Sequence, residues 1–115
     1  MPISELKLAK ELIRKPSITP KDAGAINVLA KNLRSLGFKC KVINFKNIKN
    51  LYAKFGNSSP NFCYAGHTDV VPPGNISDWS FNPFRPVVKN NKLIGRGAND
   101  MKASIACFVA AVSKF

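Results

Sequence analysis

A chain of 115 residues, 45% of them hydrophobic, is long enough for one domain with a core and too short for two. No apolar run approaches the roughly 18 residues of a membrane span, so we predict no membrane partner. The net charge of +12 suggests a polyanion surface, but the lysines are scattered singly and lack clustered arginines. We interpret the charge as compositional bias with solvated side chains and predict no nucleic-acid partner, leaving open a field that attracts a small anionic substrate.

The amino-terminal segment and the cysteines indicate the compartment. Glu5 and Glu11 lie among scattered lysines without a continuous apolar core, which is unlike a secretory signal and predicts a cytoplasmic protein. The cysteines are odd in number and lack a Cys-x-x-Cys pair, which argues against a disulfide framework and a thiolate zinc site. Cys40, Cys63 and Cys107 are therefore predicted to be small buried hydrophobic residues.

Two helices are predicted at the start of the chain. Residues 4–15 carry an apolar stripe at helical spacing. The second helix is predicted over residues 20–36, with Thr19 as its N-cap and Pro20 in its first position. Their apolar faces need a partner surface, which the following strands can provide.

Three strands are predicted next. Alternation from Phe38 to Val42 indicates a half-buried strand, and residues 51–55 form a second. Residues 62–71 are apolar almost throughout, as in a central strand covered on both faces. His67 would then lie near the carboxyl end of a central strand, where open α/β sheets bind ligands.

The rest of the chain is predicted to form a loop, a hairpin and a helix. Residues 72–86 hold three large aromatic side chains, which predicts an ordered loop folded back over the sheet edge. Residues 87–94 form a hairpin around an Asn-Asn pair. A glycine turn then places Asp100 at the start of a buried, almost wholly apolar helix over residues 101–114.

The chemistry centres on the sole histidine, His67, which stands two residues before Asp69. In a strand these side chains share a face, so the imidazole can bind a metal ion while the carboxylate holds its other nitrogen. Asp100 offers a second carboxylate, but a catalytic zinc takes about three protein ligands and a water. Alternatives stay open: a core histidine, a turn-forming Asp69, an N-capping Asp100, and a Cys63–His67 nucleophile.

Several segments together resemble a known family. They are RKPSITP at 14–20, GHTDVVPPG at 66–74, Trp79 with the Pro-Phe pair at 83–84, and GRGANDMK at 95–102. From end to end the chain resembles the M20 metallopeptidase family of di-zinc aminoacylases and deacylases. The resemblance implies an incomplete α/β fold, in which residues 1–115 are the amino-terminal portion of an aminopeptidase-like catalytic domain with a mixed sheet flanked by helices.

The resemblance also implies roles for the site residues. His67 would bind the first zinc, Asp69 would be the catalytic residue that orients His67, and Asp100 would bridge two zinc ions, with cobalt as a substitute. The peptide bond between Asp100 and Met101 would be cis. The implied reaction is hydrolysis of the amide bond of N-succinyl-L,L-diaminopimelate, a small anionic substrate, to succinate and diaminopimelate for lysine and cell-wall synthesis.

Members of this family are much longer, and their general base, remaining ligands and dimerisation domain would lie downstream. We therefore expect residues 1–115 to be inactive alone, and a homodimer only for a complete enzyme. The Pro-Pro-Gly after the His-x-Asp segment favours desuccinylation over the chemistry of acetylornithine deacetylase or a related metal-dependent carboxypeptidase. Hypotheses of other classes are a basic binding module without catalysis, and a truncated scaffold or gene remnant.

Overall fold

The computed structural model describes residues 2–115, which form three α-helices and two antiparallel hairpins. In chain order these are α1 (Glu5–Ile13), α2 (Ala25–Ser35), β1 (Lys39–Phe45), β2 (Ile48–Lys54), β3 (Val87–Lys89), β4 (Lys92–Ile94) and α3 (Ala103–Ser113). Within this part of the chain no helix combines the length and apolar character needed to cross a membrane.

One apolar core lies between the three helices and the inner face of the β1–β2 hairpin. Leu8 and Leu12 of α1, and Ile105 and Val109 of α3, are four residues apart and therefore share one face of their helix. Leu51 of β2 packs against this cluster from the hairpin side. Each such side chain stabilises the fold by about 1.5–3 kcal/mol when fully buried.

The first helix, the first two strands and the later hairpin are confirmed with small changes of bounds. Ser4 caps α1, because its hydroxyl accepts a hydrogen bond from the N–H of Lys7 at 3.3 Å. β1 and β2 pair in register from one end of the hairpin to the other, and β3 pairs with β4. Asn90 and Asn91 have φ of 53° and 62°, as a two-residue hairpin turn requires.

The second helix begins at Ala25 and not at Pro20, so the prediction of its start is wrong. The backbone of residues 17–19 pairs instead with Val70 through two hydrogen bonds of 2.9 and 3.0 Å. The Asp22 carboxylate then accepts hydrogen bonds from two N–H groups at the start of the helix, at 3.0 and 3.1 Å. Because residues 17–19 pair with Val70, the helix cannot begin there. It begins only after Asp22, whose carboxylate caps it.

The predicted central strand over residues 62–71 is also wrong in this structure. A strand needs a hydrogen-bonded neighbour, and in this segment only Val70 forms a bridge, parallel to Ile18. Residues 62–64 and 66–69 line an open trough of about 670 Å³ beside β2, and Phe62 is 83% exposed. Residues 2–115 therefore do not supply the cover on both faces that the apolar sequence predicted.

A single irregular helical turn, Ala98–Lys102, precedes the last helix. Asp100 (φ −133°, ψ 92°) and Met101 (φ −141°, ψ 33°) are not helical, so the helix predicted from residue 101 starts later. The peptide bond between these two residues is cis, as the resemblance implied. α3 is buried along one face, and Ser104, Cys107 and Ala111 on its other face are exposed.

The prediction that the cysteines are buried is wrong. Cys63 and Cys107 are exposed, Cys40 is half-buried, and all three are free. Cys63 lies in the segment that lacks a strand partner, and Cys107 lies on the outer face of α3. Both exposures follow from surfaces that the predicted sheet would have covered.

Candidate metal centre

The segment that carries His67 is anchored on both sides. The hydroxyl of Ser17 donates a hydrogen bond to the carbonyl oxygen of Thr68 at 2.7 Å. The N–H of His67 donates to the sulphur of Met101 at 3.4 Å. Because the backbone is held here, the imidazole projects from a defined position although half of it is exposed.

A glycine turn brings Asp100 to His67. Gly97 has φ of 86°, and a Cβ at this position would lie 2.5 Å from Cγ1 of Val70. Only glycine permits both the left-handed backbone and this close approach. The N–H of Lys102 donates to the carbonyl of Gly97 at 2.8 Å and closes the turn.

His67 lies between two carboxylates. Its Nε2 is 3.0 Å from Oδ1 of Asp100, and its Nδ1 is 3.0 Å from Oδ1 of Asp69. The carbonyl oxygen of Asp69 is also 3.1 Å from Nδ1. The structure therefore brings together the three predicted site residues, whose roles as ligands stay a prediction.

The pair of His67 and Asp100 fits the donor set of a metal ion. Two ligand atoms at about 2.0–2.2 Å from one ion lie about 3.0–3.5 Å apart, and the observed separation is 3.0 Å. Asp69 faces the other ring nitrogen, as do carboxylates that orient metal-binding histidines. Within residues 2–115 no group of three or more His, Cys, Asp or Glu side chains could hold an ion together. The chain offers two ligands and one orienting carboxylate, which is part of a site.

The two carboxylates make the imidazole more basic. Burial lowers the pKa of His67, but the hydrogen bond to the Asp69 backbone, the charge of Asp69 and the contact with Asp100 outweigh it. The pKa of His67 therefore lies above its ordinary value of 6.5. Since a metal ligand must lose its proton, ion binding and protonation compete at Nε2.

Ser17 and Lys102 are site neighbours that the sequence reasoning missed. Both are fully buried, and Nζ of Lys102 donates to the carbonyl of Lys15 at 2.9 Å. Burial lowers the pKa of Lys102 to about 8, against the opposing charges of Asp22 and Asp69. The signal available in the sequence was a lysine at the start of a helix otherwise almost wholly apolar.

The aromatic loop over residues 72–86 packs on the glycine turn, whereas the prediction placed it over the sheet edge. The indole N–H of Trp79 donates to the carbonyl of Pro73 at 3.0 Å. The guanidinium of Arg96 lies 5.1 Å from the centroid of the Trp79 ring. The N–H of Arg96 also donates to the carbonyl of Pro83 at 2.8 Å, so loop and turn form one unit.

A depression of about 280 Å³ lies beside the candidate ligands. Its lining includes His67, Asp69 and Asp100 together with Arg96. Arg96 is the one lysine or arginine in this lining, and it gives the depression a fixed positive charge next to two carboxylates.

Comparison with known proteins places this geometry in context. Residues 63–115 match the model of peptidase family M20/M25/M40. The chain is 60% identical to succinyl-diaminopimelate desuccinylase of Pelagibacter ubique, over 97% of this chain and 30% of that protein. It is 52% identical to succinyl-diaminopimelate desuccinylase of Caulobacter vibrioides, over 96% of this chain and 29% of that protein. The chain thus spans about three tenths of the length of these relatives.

Two solved structures share the fold. An M20 family metallo-carboxypeptidase from Sulfolobus solfataricus superposes with a TM-score of 0.89 at 28% identity, over 96% of this chain and 26% of that one. Human carnosine dipeptidase 1 superposes with a TM-score of 0.84 at 23% identity, over 96% of this chain and 28% of that one. The predicted fold class is confirmed: a small mixed α/β arrangement that corresponds to a portion of an M20 catalytic domain.

Proposed function

We propose that this chain, whose residues 63–115 match the model of peptidase family M20/M25/M40, supplies the amino-terminal part of a metal-dependent amide hydrolase of that family. The observation that carries the proposal is the 3.0 Å separation of His67 Nε2 from Asp100 Oδ1, with Asp69 on the far ring nitrogen. The proposed reaction of the complete enzyme is hydrolysis of N-succinyl-L,L-diaminopimelate to succinate and diaminopimelate. It rests on the relatives of the same name at 50–60% identity.

His67 and Asp100 would hold the metal, which would be zinc, with cobalt as a substitute. Zinc, when bound, supplies Lewis-acid chemistry at the amide carbonyl. The Asp69 carboxylate accepts a hydrogen bond from Nδ1–H of His67. This contact fixes the tautomer and leaves Nε2 free for the ion. This division of roles follows from Asp69 and Asp100 lying on opposite nitrogens of one ring.

A general base is the group that the described residues do not bring to the site. A base must come within about 2.6–3.2 Å of the proton it removes. The remaining acidic residues are Glu5 and Glu11 of α1, Asp22 before α2, and Asp78 in the aromatic loop. None of them joins His67 in a shared group, so we propose that the base comes from the part of the longer relatives that this chain does not span.

The trough beside β2 indicates where that further part would pack. Phe62 and Tyr64 stack on Phe108, whereas Gly66 lies beside Ile105 and Met101, so residues 62–66 run antiparallel to α3. In a longer chain, a strand following α3 would return parallel to residues 62–66 by the usual strand–helix–strand connection. It would find there an unpaired edge of β2 and a floor of apolar side chains. We propose that this chain is thereby completed into one catalytic domain.

The charge of the site suits an anionic substrate. Arg96 lines the depression beside His67, and the chain carries a net charge of +12. A succinyl group brings a carboxylate that a guanidinium binds through paired hydrogen bonds. A cytoplasmic location and a homodimer of the complete enzyme stay predictions alongside this proposal.

A chimera tests the proposed function. Residues 1–115 would replace the matching segment of the Pelagibacter ubique desuccinylase, and release of succinate from N-succinyl-L,L-diaminopimelate would be measured with zinc or cobalt. We expect turnover by the chimera, none by residues 1–115 alone, and a loss of about 100-fold or more in His67→Ala and Asp100→Ala. Asp78→Asn, an acidic residue outside the pair, is the control and should keep full activity. A folded chimera that is inactive, or whose His67→Ala variant is fully active, contradicts the proposal.

A further inference from the structure

The loop over residues 15–19 touches both halves of the candidate metal centre. On the His67 side, the hydroxyl of Ser17 donates to the carbonyl of Thr68 at 2.7 Å. The backbone of the same loop pairs with Val70 through hydrogen bonds of 2.9 and 3.0 Å. Thr68 lies between His67 and Asp69, so this contact restrains the backbone that presents both side chains.

On the Asp100 side, the contact comes from a lysine two residues further along the chain. Nζ of Lys102 donates to the carbonyl oxygen of Lys15 at 2.9 Å. The backbone N–H of Lys102 donates to the carbonyl of Gly97 at 2.8 Å, which ties it to the turn that carries Asp100. The loop therefore makes one side-chain hydrogen bond to each half of the candidate centre. Ser17 donates the bond on the His67 side, and the carbonyl of Lys15 accepts the bond on the Asp100 side.

Both polar side chains are fully buried, with 0% exposure for Ser17 and for Lys102. A buried hydroxyl or ammonium group is costly unless hydrogen-bonded, and a methionine or alanine would avoid the cost. Neither side chain caps a helix, and neither belongs to the apolar cluster between the helices. Their partners are instead the backbone next to His67 and the loop that both halves share.

We propose that Ser17 and Lys102 are positioning residues that act through residues 15–19 to set the separation of His67 from Asp100. The proposal rests on the proposed function, in which His67 and Asp100 bind one metal ion. A metal pair must be held within about 0.5 Å of its working geometry by the residues around it. His67 and Asp100 are exposed side chains, so their own packing cannot provide that restraint.

The test uses the 115-residue chain and Co²⁺ alone as the probe. His67 is the sole histidine, so its ring gives one Cε1–H resonance whose shift and broadening report Co²⁺ at this site. We expect the apparent Kd for Co²⁺ to rise about 10-fold or more in Ser17→Ala and in Lys102→Met, as for other residues that orient metal ligands. The two changes together should raise the Kd by less than the product of the single effects, since both act through one loop.

The matched control is Ser113→Ala. Ser113 accepts a long-range hydrogen bond from the N–H of Ile3 at 2.8 Å, away from the candidate centre. Its loss should lower the melting temperature without changing the Kd for Co²⁺. A purely structural role of Ser17 predicts the same pattern for Ser17→Ala, and that result overturns the proposal.

A second variant covers the case in which Ser17→Ala does not fold. Ser17→Cys keeps nearly the same volume with a weaker donor, and it should give a Kd between those of the wild type and the Lys102→Met variant. Folded variants that bind Co²⁺ as the wild type does overturn the positioning role and leave the metal pair intact. A wild-type His67 resonance that ignores Co²⁺ removes the metal pair itself, and the positioning role with it.

Discussion

The sulphur of Met101 lies 3.4 Å from the backbone nitrogen of His67, which donates a hydrogen bond to it. Met101 directly follows Asp100, whose carboxylate meets Nε2 of the same histidine. A Cβ on Gly66 would lie 3.0 Å from the methyl carbon of Met101, so the glycine before His67 leaves room for the thioether. Two consecutive residues thus contact one histidine, the first at its ring and the second at its backbone.

The turn that presents Asp100 depends on Gly97. Gly97→Ala would force a left-handed alanine and a methyl group 2.5 Å from Val70, so we expect a loss of about 2–4 kcal/mol in the free energy of unfolding. Gly74→Ala is the control, because Gly74 also has a positive φ, 78°, but has no atom within 4 Å of its added Cβ. Urea denaturation of both variants measures the difference. Equal losses would show that the close approach to Val70 does not matter.

Asp69 should act through His67. Asp69→Asn removes the charge that holds Nδ1, and we expect zinc affinity of the chimeric enzyme to fall about 10–100-fold. Competition with a chromogenic chelator measures that affinity. Asp78→Asn removes an equal charge from the aromatic loop and should leave the affinity unchanged. An Asp69→Asn variant with wild-type affinity would rule out the orienting role.

The metal-free chain should show a raised pKa at His67. The sole Cε1–H resonance should titrate with a midpoint above 6.5, because Asp69 and Asp100 stabilise the protonated ring. The protonated ring therefore stabilises the folded chain fully below pH 6.5, and this contribution is lost as the pH rises through the folded pKa of His67. Asp100→Asn should lower the midpoint in proton NMR. A wild-type midpoint at or below 6.5 would contradict the ion pairs.

The pKa of Lys102 should make the free energy of unfolding change in the opposite direction at alkaline pH. Burial lowers its pKa from 10.5 to about 8, so between these values the unfolded chain binds more protons than the folded chain. Stability should therefore rise from about pH 8 to pH 10.5, by up to about 3 kcal/mol from this group. Urea denaturation of the wild type and of Lys102→Met across this pH range isolates the effect, since methionine has no group that titrates. Parallel pH profiles of the two proteins would show that burial does not lower the pKa of Lys102 in the folded chain.

Elements with local signals could be predicted from the sequence. The alternation from Phe38 to Val42 predicted β1, in which Cys40 packs against the core, and the Asn-Asn pair has the positive φ that its turn requires. The pairing of His67 with Asp69 followed from their spacing of two residues, whereas the approach of Asp100 to His67 was implied by the resemblance.

Features that depend on distant partners could not be predicted. The segment over residues 62–71 has the composition of a strand, but its hydrogen-bonding neighbours are decided elsewhere in the fold. α2 begins later than predicted because Val70 pairs with the residues before it. Ser17 and Lys102 bond to groups 51 and 87 residues away in the sequence, a separation that no periodicity reports.

The free edge of β2 has a consequence for the chain in concentrated solution. β1 and β2 form a two-stranded sheet, and a strand with an unpaired edge is a template on which a second copy can pair. Lys49 and Lys54 lie on β2, and a net charge of +12 on each copy opposes that approach. At about 0.15 M salt such repulsion is screened beyond roughly 8 Å. Repulsion between the lysines would then prevent association of the copies at low salt only. Light scattering from the isolated chain should therefore rise with ionic strength.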